Sequence, residues 1–215
     1  VTRAAARRRG RPRAYDPEVA LRRARETFWR AGYAGTSLDD LAAAMGMNRP
    51  SIYAAFGDKR ALYRRAAADY ADTSRAWLSA ALARPLPLRE ALGAVYRYAR
   101  DFYLSGDGGP RGCFLIGTAL TEATGDAQAR AIVEETMAAF TATFAERFER
   151  AGRDGELAPH APDALAQIAT ATLNALSVRA RSGAGRPELD ALIDAAIAVI
   201  CAPVDRPVRP CGSPT

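Results

Sequence analysis

The residues with the most to offer chemically lie between Thr36 and Lys59, in the run T-S-L-D-D-L-A-A-A-M-G-M-N-R-P-S-I-Y-A-A-F-G-D-K. Arg49 carries a planar fork of donors that can grip guanine O6 and N7 in bidentate fashion or hold a phosphate. Asn48, Ser51 and Tyr53 add hydrogen-bonding groups on the same short stretch. No comparable set suits covalent catalysis: the single histidine, His160, has no partner motif, and the chain contains no P-loop, G-x-G-x-x-G or H-E-x-x-H. Cys113, Cys201 and Cys211 are an odd number without metal-ligand spacing, which fits a reducing cytoplasm. The sequence therefore predicts neither an enzyme nor a protein holding a metal or cofactor.

The elements that must position Arg49 are two short helices. Thr36 or Ser37 caps the first, with Asp39 or Asp40 facing its unpaired amides, and Leu38, Leu41 and Met45 form its buried side. Gly46 stops it, because glycine takes the left-handed conformation without a Cβ penalty. Asn48 caps the second helix, Pro50 sits in its first turn, and Ile52 and Phe56 bury one side. That leaves Asn48, Arg49, Ser51, Tyr53 and Ala54 outward on a slender polar face. Such a helix-turn-helix offers its second helix to a major groove, although the same spacing also suits a helical hairpin inside an all-α core.

Charge placement favours the first alternative. Residues 1–65 hold 15 Lys and Arg against 6 Asp and Glu, whereas residues 66–215 hold 15 against 18. A basic head on a mildly acidic remainder points to a polyanionic partner for the head and a separate task for the rest. Residues 1–15 carry six arginines and no acid, a composition that cannot fold alone. Arg7, Arg8, Arg9, Arg11 and Arg13 flank Gly10 and Pro12, as in arms that enter a minor groove and add affinity and salt dependence more than base specificity. Solvated disorder is the other reading of such a run.

Asp16 and Pro17 open an earlier helix through Phe28 and Trp29 to Gly32, with both aromatics read as packing groups. Asp58 caps a long helix reaching about Ala83, in which Tyr63, Tyr70 and Trp77 recur on one side. From Pro17 to about Tyr70 the chain resembles the N-terminal domain of TetR-family bacterial transcriptional regulators. The matching positions are Phe28-x-x-x-Gly32-Tyr33, Thr36-Ser37, Leu41-Ala42, Gly46-Met47-Asn48, Ser51-Ile52-Tyr53, Phe56, Lys59 and Leu62.

The resemblance implies an all-α fold of about nine helices. It places a helix-turn-helix DNA-binding domain at 16–65 and a ligand-binding and dimerisation domain at 66–201; composition reads the flanking arm (1–15) and proline-rich tail (202–215) as disordered. The resemblance also implies a homodimer on a pseudo-palindromic operator in double-stranded DNA, responsive to a small-molecule effector, and no apolar run approaches the ~20 residues of a membrane span, so no membrane partner is expected. By the same resemblance Thr36 or Ser37, Tyr53 and Lys59 hold phosphates, and Asn48, Arg49, Pro50, Ser51 and Ala54 lie nearest base edges.

The remainder is helical and less diagnostic. Tyr96, Phe102, Tyr103, Phe114, Met137, Phe140 and Phe144 can line an apolar pocket between helices, or simply pack the core. The run from Arg111 to Thr124 reads as one short helix. Its G-C-F-L-I-G-T-A-L-T-E resembles a G-C-L-L-x-N-x-x-x-E segment of a subgroup of the family, with Gly117 where that subgroup has asparagine. Cys113, beside Arg111 and a helix start, is a candidate for a lowered thiol pKa and electrophile or oxidant sensing, against an inert core role.

Family members dimerise through their last two helices. Leu165, Ile168, Thr172, Leu176, Leu189, Leu192, Ile193, Ala196, Ile197 and Ile200 are the expected interface, unless these stripes only close the body. The expected function is a repressor released from its operator by a largely apolar or aromatic effector. A non-specific architectural DNA-binding protein is the alternative for which the basic head alone would suffice.

Overall fold

The computed structural model describes residues 15–106, 108–157 and 162–202. The described residues form helices only: α1 (Pro17–Ala31), α2 (Leu38–Met45), α3 (Arg49–Phe56), α4 (Lys59–Ala83) and α5 (Leu88–Leu104). A π-helical segment, Leu115–Ala119, then runs into the single turn α6 (Leu120–Glu122). After it come α7 (Ala127–Arg153), α8 (Pro162–Arg181) and α9 (Arg186–Ile200). This is an all-α chain with an N-terminal helix-turn-helix.

The first four helices start on local signals. Asp16 accepts from the amides of Glu18 and Val19, and Asn48 accepts from that of Ser51 at 2.8 Å. Ser37 and Asp40 bond reciprocally as a capping box, and Asp58 accepts from Ala61 at 2.7 Å. Each satisfies amides that a helix start leaves unpaired. Gly46, with φ of 65°, makes the left-handed stop between α2 and α3.

Two helix starts are more than local. α5 has no side-chain cap of its own. Glu156, from beyond α7, accepts from the Leu88 amide, and Arg147 of α7 donates to the Leu86 carbonyl at 2.9 Å. At α7 the buried Asp126 accepts from its own first-turn amides and also from Arg64 Nε of α4 at 2.8 Å. The Arg64 hydrogen bond, more than any other contact, holds the Asp126 carboxyl below its usual range against the desolvation that opposes it.

The run Arg111 to Thr124 departs from the single helix expected. Gly112 has φ of 64°, and a Cβ there would stand 2.9 Å from the Ser177 carbonyl, so this turn is pressed against α8. Helix begins only beyond it and takes the wider π form across Gly117, where Arg181 lies over the backbone. One buried apolar cluster runs from Ala20 in α1 to Ile200 in α9, and α8 lies against α5, α7 and α9 within it. No helix among the described residues is long and apolar enough to cross a membrane. Nor do those residues gather three or more His, Cys, Asp or Glu as a metal would need.

Candidate nucleic-acid interface

Leu41, Met45, Ile52 and Phe56 are buried, which fixes the other side of α3 toward solvent. Asn48, Arg49, Pro50, Tyr53 and Ala54 are exposed and Ser51 is half-buried, so this group forms one outward ridge at the start of the helix. Asn48 Oδ1 is occupied by the Ser51 amide, leaving its NH₂ donors for an outside acceptor. Lys59 lies across the Tyr33 ring, its Nζ 4.4 Å from the centroid, half-buried beside the same surface.

Thr36 departs from its expected role. It is 1% exposed and its hydroxyl donates to the Gly32 carbonyl at 2.6 Å, closing the turn between α1 and α2. Of the Thr36 and Ser37 hydroxyls, only that of Ser37 stays exposed, and it is bonded within the capping box. The arm residues Arg7, Arg8, Arg9, Arg11 and Arg13 lie outside the described residues, as does His160.

Arg49 is held in a way the sequence does not announce. Its Nε donates to Asp39 Oδ1 at 2.7 Å and its Nη2 to Oδ2, a two-pronged pair that is open to water on both sides. The bond lowers the Asp39 carboxyl and raises the guanidinium. Exposed pairs of this kind separate at little cost, so the same fork is available to guanine or phosphate. Asp39 reads in the sequence as a helix-start acid, ten positions from Arg49.

A cavity of about 160 Å³ lies between α1, α4 and α5. Of the residues expected to line a pocket, Phe102, Tyr103, Cys113 and Phe140 meet there. The others do not. Tyr96 and Phe144 pack against each other in the core, and the Tyr96 hydroxyl donates to the Ala169 carbonyl. Phe114 is fully buried between Trp29, Tyr63 and Tyr70. Gly117 faces Arg181, and Met137 lies in a shallow groove between α7 and α8.

The remaining wall comes from Trp29, Tyr70, Trp77 and Tyr98, with Arg25, Glu26 and Arg111 among the polar lining. The seven-residue recurrence of Tyr70 and Trp77 marks a protein-facing stripe. No pattern foretells that Trp29 turns from α1 toward this cavity. Its Nε1 donates to the Arg111 carbonyl at 3.0 Å. The Arg111 guanidinium lies 4.5 Å from the ring centroids of both Trp29 and Phe102, and pairs with Glu26 at 3.2 Å. The segment after α5 is thus fastened directly onto α1.

Of the two roles open to Cys113, the geometry favours the inert one. It is buried, and loss of solvent pushes its thiol upward, more strongly than the hydrogen bond from the Tyr70 hydroxyl at 3.5 Å lowers it. Arg111 gives no help, since its charge is turned to Glu26. A thiol so placed stays protonated near neutral pH, which removes the basis for reading it as an activated nucleophile.

The last two helices turn their largest apolar stripe inward. Leu165, Thr172, Leu176, Leu189, Ile193, Ile197 and Ile200 are buried within the chain, where α8 and α9 pack on α5 and α8 on α7. From the expected interface set only Ile168 is exposed, with Leu192 and Ala196 half-buried. A second stripe faces out: Ile168, Ala171, Ala175 and Val178 on α8, and Leu192, Ala195 and Val199 on α9. Val178 is 52% exposed and Val199 62%. Bulk draws most large side chains into the core, so beside Ile168 and Leu192 the outer face is left to alanines and valines that stand out less in the sequence.

Residues 20–66 match the model described as bacterial regulatory proteins, tetR family. The chain is 33% identical over 190 residues to the HTH-type transcriptional repressor ComR of Escherichia coli K12, covering 84% of this chain and 87% of ComR. It is 30% identical to the repressor BdcR of the same strain, over 85% of this chain and 88% of BdcR. Among solved structures it resembles a cysteine mutant of the TetR-family regulator CifR in complex with a 26-bp double-stranded operator DNA. The TM-score is 0.73 at 34% identity, over 87% of this chain and 98% of that one.

Proposed function

We propose how this chain works from the premise that it belongs to the TetR family of bacterial regulatory proteins. It is a DNA-binding transcriptional regulator, not an enzyme. The finer reading is a homodimeric repressor, working in the cytoplasm on a pseudo-palindromic operator, with one α3 per half-site. The observation that carries it is the orientation of α3: Ile52 and Phe56 are buried, while Asn48, Arg49, Pro50, Tyr53 and Ala54 are exposed together. Arg49 is assigned to base edges and Ser37, Tyr53 and Lys59 to phosphates. α1 to α3 with the first turns of α4 form the DNA-binding part, and the rest of the chain carries the effector and the partner.

The second copy is placed on the outward stripe of α8 and α9. Small side chains there let helices of two copies approach closely, and an isologous contact carries the two-fold symmetry of a palindrome. That symmetry sets the two α3 helices about 34–36 Å apart, one DNA turn, or a multiple of it. The effector is placed in the cavity lined by Trp29, Tyr70 and Trp77. α4 runs unbroken from Lys59 at the DNA-facing end to the cavity, and Trp29 brings α1 to the same wall. A compound favouring a different setting of these helices would shift the dimer to a spacing that misses successive major grooves.

Footprinting on the promoter upstream of the gene tests this reading, with sedimentation of the free protein beside it. Protection of one short palindrome by a dimer is expected. Broad coating of DNA would favour an architectural protein, and a monomer at working concentration would overturn the dimeric mechanism. The arm is assigned to the minor groove on its composition. Deleting residues 1–13 should flatten the dependence of log affinity on log salt, by up to about 0.9 for each phosphate that the arm neutralises. An unchanged slope would leave the arm without that role.

A further inference from the structure

We infer that the cavity between α1, α4 and α5 takes a single-ring aromatic carboxylate, and that the carboxylate acts by drawing Arg111 off Glu26 and so loosening α1. This rests on the effector site assigned above and names its ligand class and its first step.

Size sets the first limit. The cavity measures about 160 Å³, and an apolar protein cavity of about 150 Å³ is enough to hold benzene. Its walls suit a flat ring. Trp77 and Tyr98 stack with centroids 4.6 Å apart, and Tyr98 and Phe102 lie nearly parallel at 8°. Trp29 and Tyr70 close the side toward the DNA-binding helices, meeting edge to face at 5.1 Å.

Polarity sets the second. The Nε atoms of Arg25 and Arg111 are buried and have no hydrogen-bond partner among the described residues. Tyr103 lines the same cavity and adds a hydroxyl that can donate. These groups share the ability to donate, so what the cavity lacks is an acceptor. Glu26, the carboxylate in its lining, is already matched by Arg111, and Arg25 pairs with Asp69 at 2.8 Å. A cationic ligand would therefore find no free anion, whereas a carboxylate finds donors that need one.

The consequence reaches α1 without an intermediary. Arg111 joins α1 twice through its guanidinium, by the ion pair to Glu26 and by its position over Trp29. Glu26 is about half exposed, so it returns to water at little cost when Arg111 turns to the ligand. Charge pairing of Arg111 is kept, while the ion pair and the cation–π interaction that tie α1 to the segment after α5 are broken. α1 packs against α2 and α4, so its setting bears on the placement of α3.

The chain has two tryptophans, Trp29 and Trp77, and both line the cavity, so tryptophan emission reads this site alone. The full chain is titrated with benzoate, toluene and benzylamine. Benzoate should change the emission saturably and bind at least tenfold tighter than toluene, with benzylamine weakest, and should weaken operator binding. Arg111→Gln should bring benzoate to the affinity of toluene. Ala99→Leu, which adds bulk to the wall, should weaken both at least tenfold. Absence of a saturable response to benzoate, equal affinity for toluene, or a benzoate preference that survives Arg111→Gln would overturn the inference. Operator footprinting without any compound is read separately. Specific protection with no benzoate response sinks the ligand assignment alone, whereas no specific protection sinks the regulator mechanism.

Discussion

The exposed ridge at the start of α3 and the cavity differ in how far along the chain their parts are gathered. On the ridge, Ser37 meets Asp40 and Asn48 meets Ser51, each three residues apart. In the cavity, Trp29 bonds Arg111 across 82 positions, and Cys113 bonds Ser177 across 64. The first region is assembled by helix caps and two short apolar stripes, the second only when α1, α4, α5, α7 and α8 have come together. A ridge made locally can be altered one side chain at a time; a cavity made globally inherits every change in the packing around it.

The strongest test of that contrast is Ile52→Ala. Ile52 is fully buried beneath the ridge, and removing its side chain should cost about 2–5 kcal/mol. Because one apolar cluster joins α1 to α9, thermal unfolding should remain a single transition at lower temperature, followed by circular dichroism and tryptophan emission together. If the emission from Trp29 and Trp77 held its wild-type midpoint while helicity was lost early, the two regions would be energetically separate despite their shared core.

Arg49→Ala should leave stability nearly unchanged and weaken operator binding by about 1–3 kcal/mol, with base preference relaxed at one position of each half-site. Uniform loss across all base variants of the operator would reassign Arg49 to phosphate. No change in benzoate titration is expected, and such a change would mean that the ridge and the cavity communicate through this residue.

The same contrast explains what could be read in advance. The caps of α1 to α4 were legible because each is a short-range match between a side chain and the next amides, and the stop at Gly46 lies where the turn requires it. The cavity wall was legible only in part. Phe102, Tyr103, Cys113 and Phe140 were recognisable as aromatic or small residues on helices, but Trp29 reaches the cavity only through the placement of α1 against a loop far ahead of it. The last two helices stand where their stripes predict them, but most of the side chains expected to face a partner are buried within the chain, since periodicity gives a stripe and size decides that the stripe is buried. Burial of Cys113, likewise, is a property of α8 and α4 closing over it, and adjacency to Arg111 in sequence says nothing of where that guanidinium turns.

Asp126 ties two helices together, capping α7 while accepting from Arg64 near the start of α4. Asp126→Ala should cost about 1 kcal/mol at neutral pH from the cap alone. Its carboxyl sits lower in the folded chain than in the unfolded one. The stability it gives is therefore present above the unfolded carboxylate pKa, about 3.9, and is lost as pH falls through the lower folded value. Wild type and variant should converge in denaturant midpoint on acidification. A gap that stays constant down to pH of about 2 would show that the carboxylate charge contributes nothing.

Asp39→Asn is expected to have the smallest effect. The pair with Arg49 is exposed, so thermal stability should not move. On DNA two consequences oppose each other: a negative charge leaves a surface that faces phosphates, and Arg49 loses the group that holds its fork. Affinity for random duplex should therefore rise, by roughly threefold, while discrimination at the base assigned to Arg49 should fall. Measuring both duplexes by anisotropy at one salt concentration separates these consequences. If discrimination survives Asp39→Asn but is lost in Arg49→Ala, Arg49 finds its base unaided, and the pair with Asp39 belongs only to the free protein.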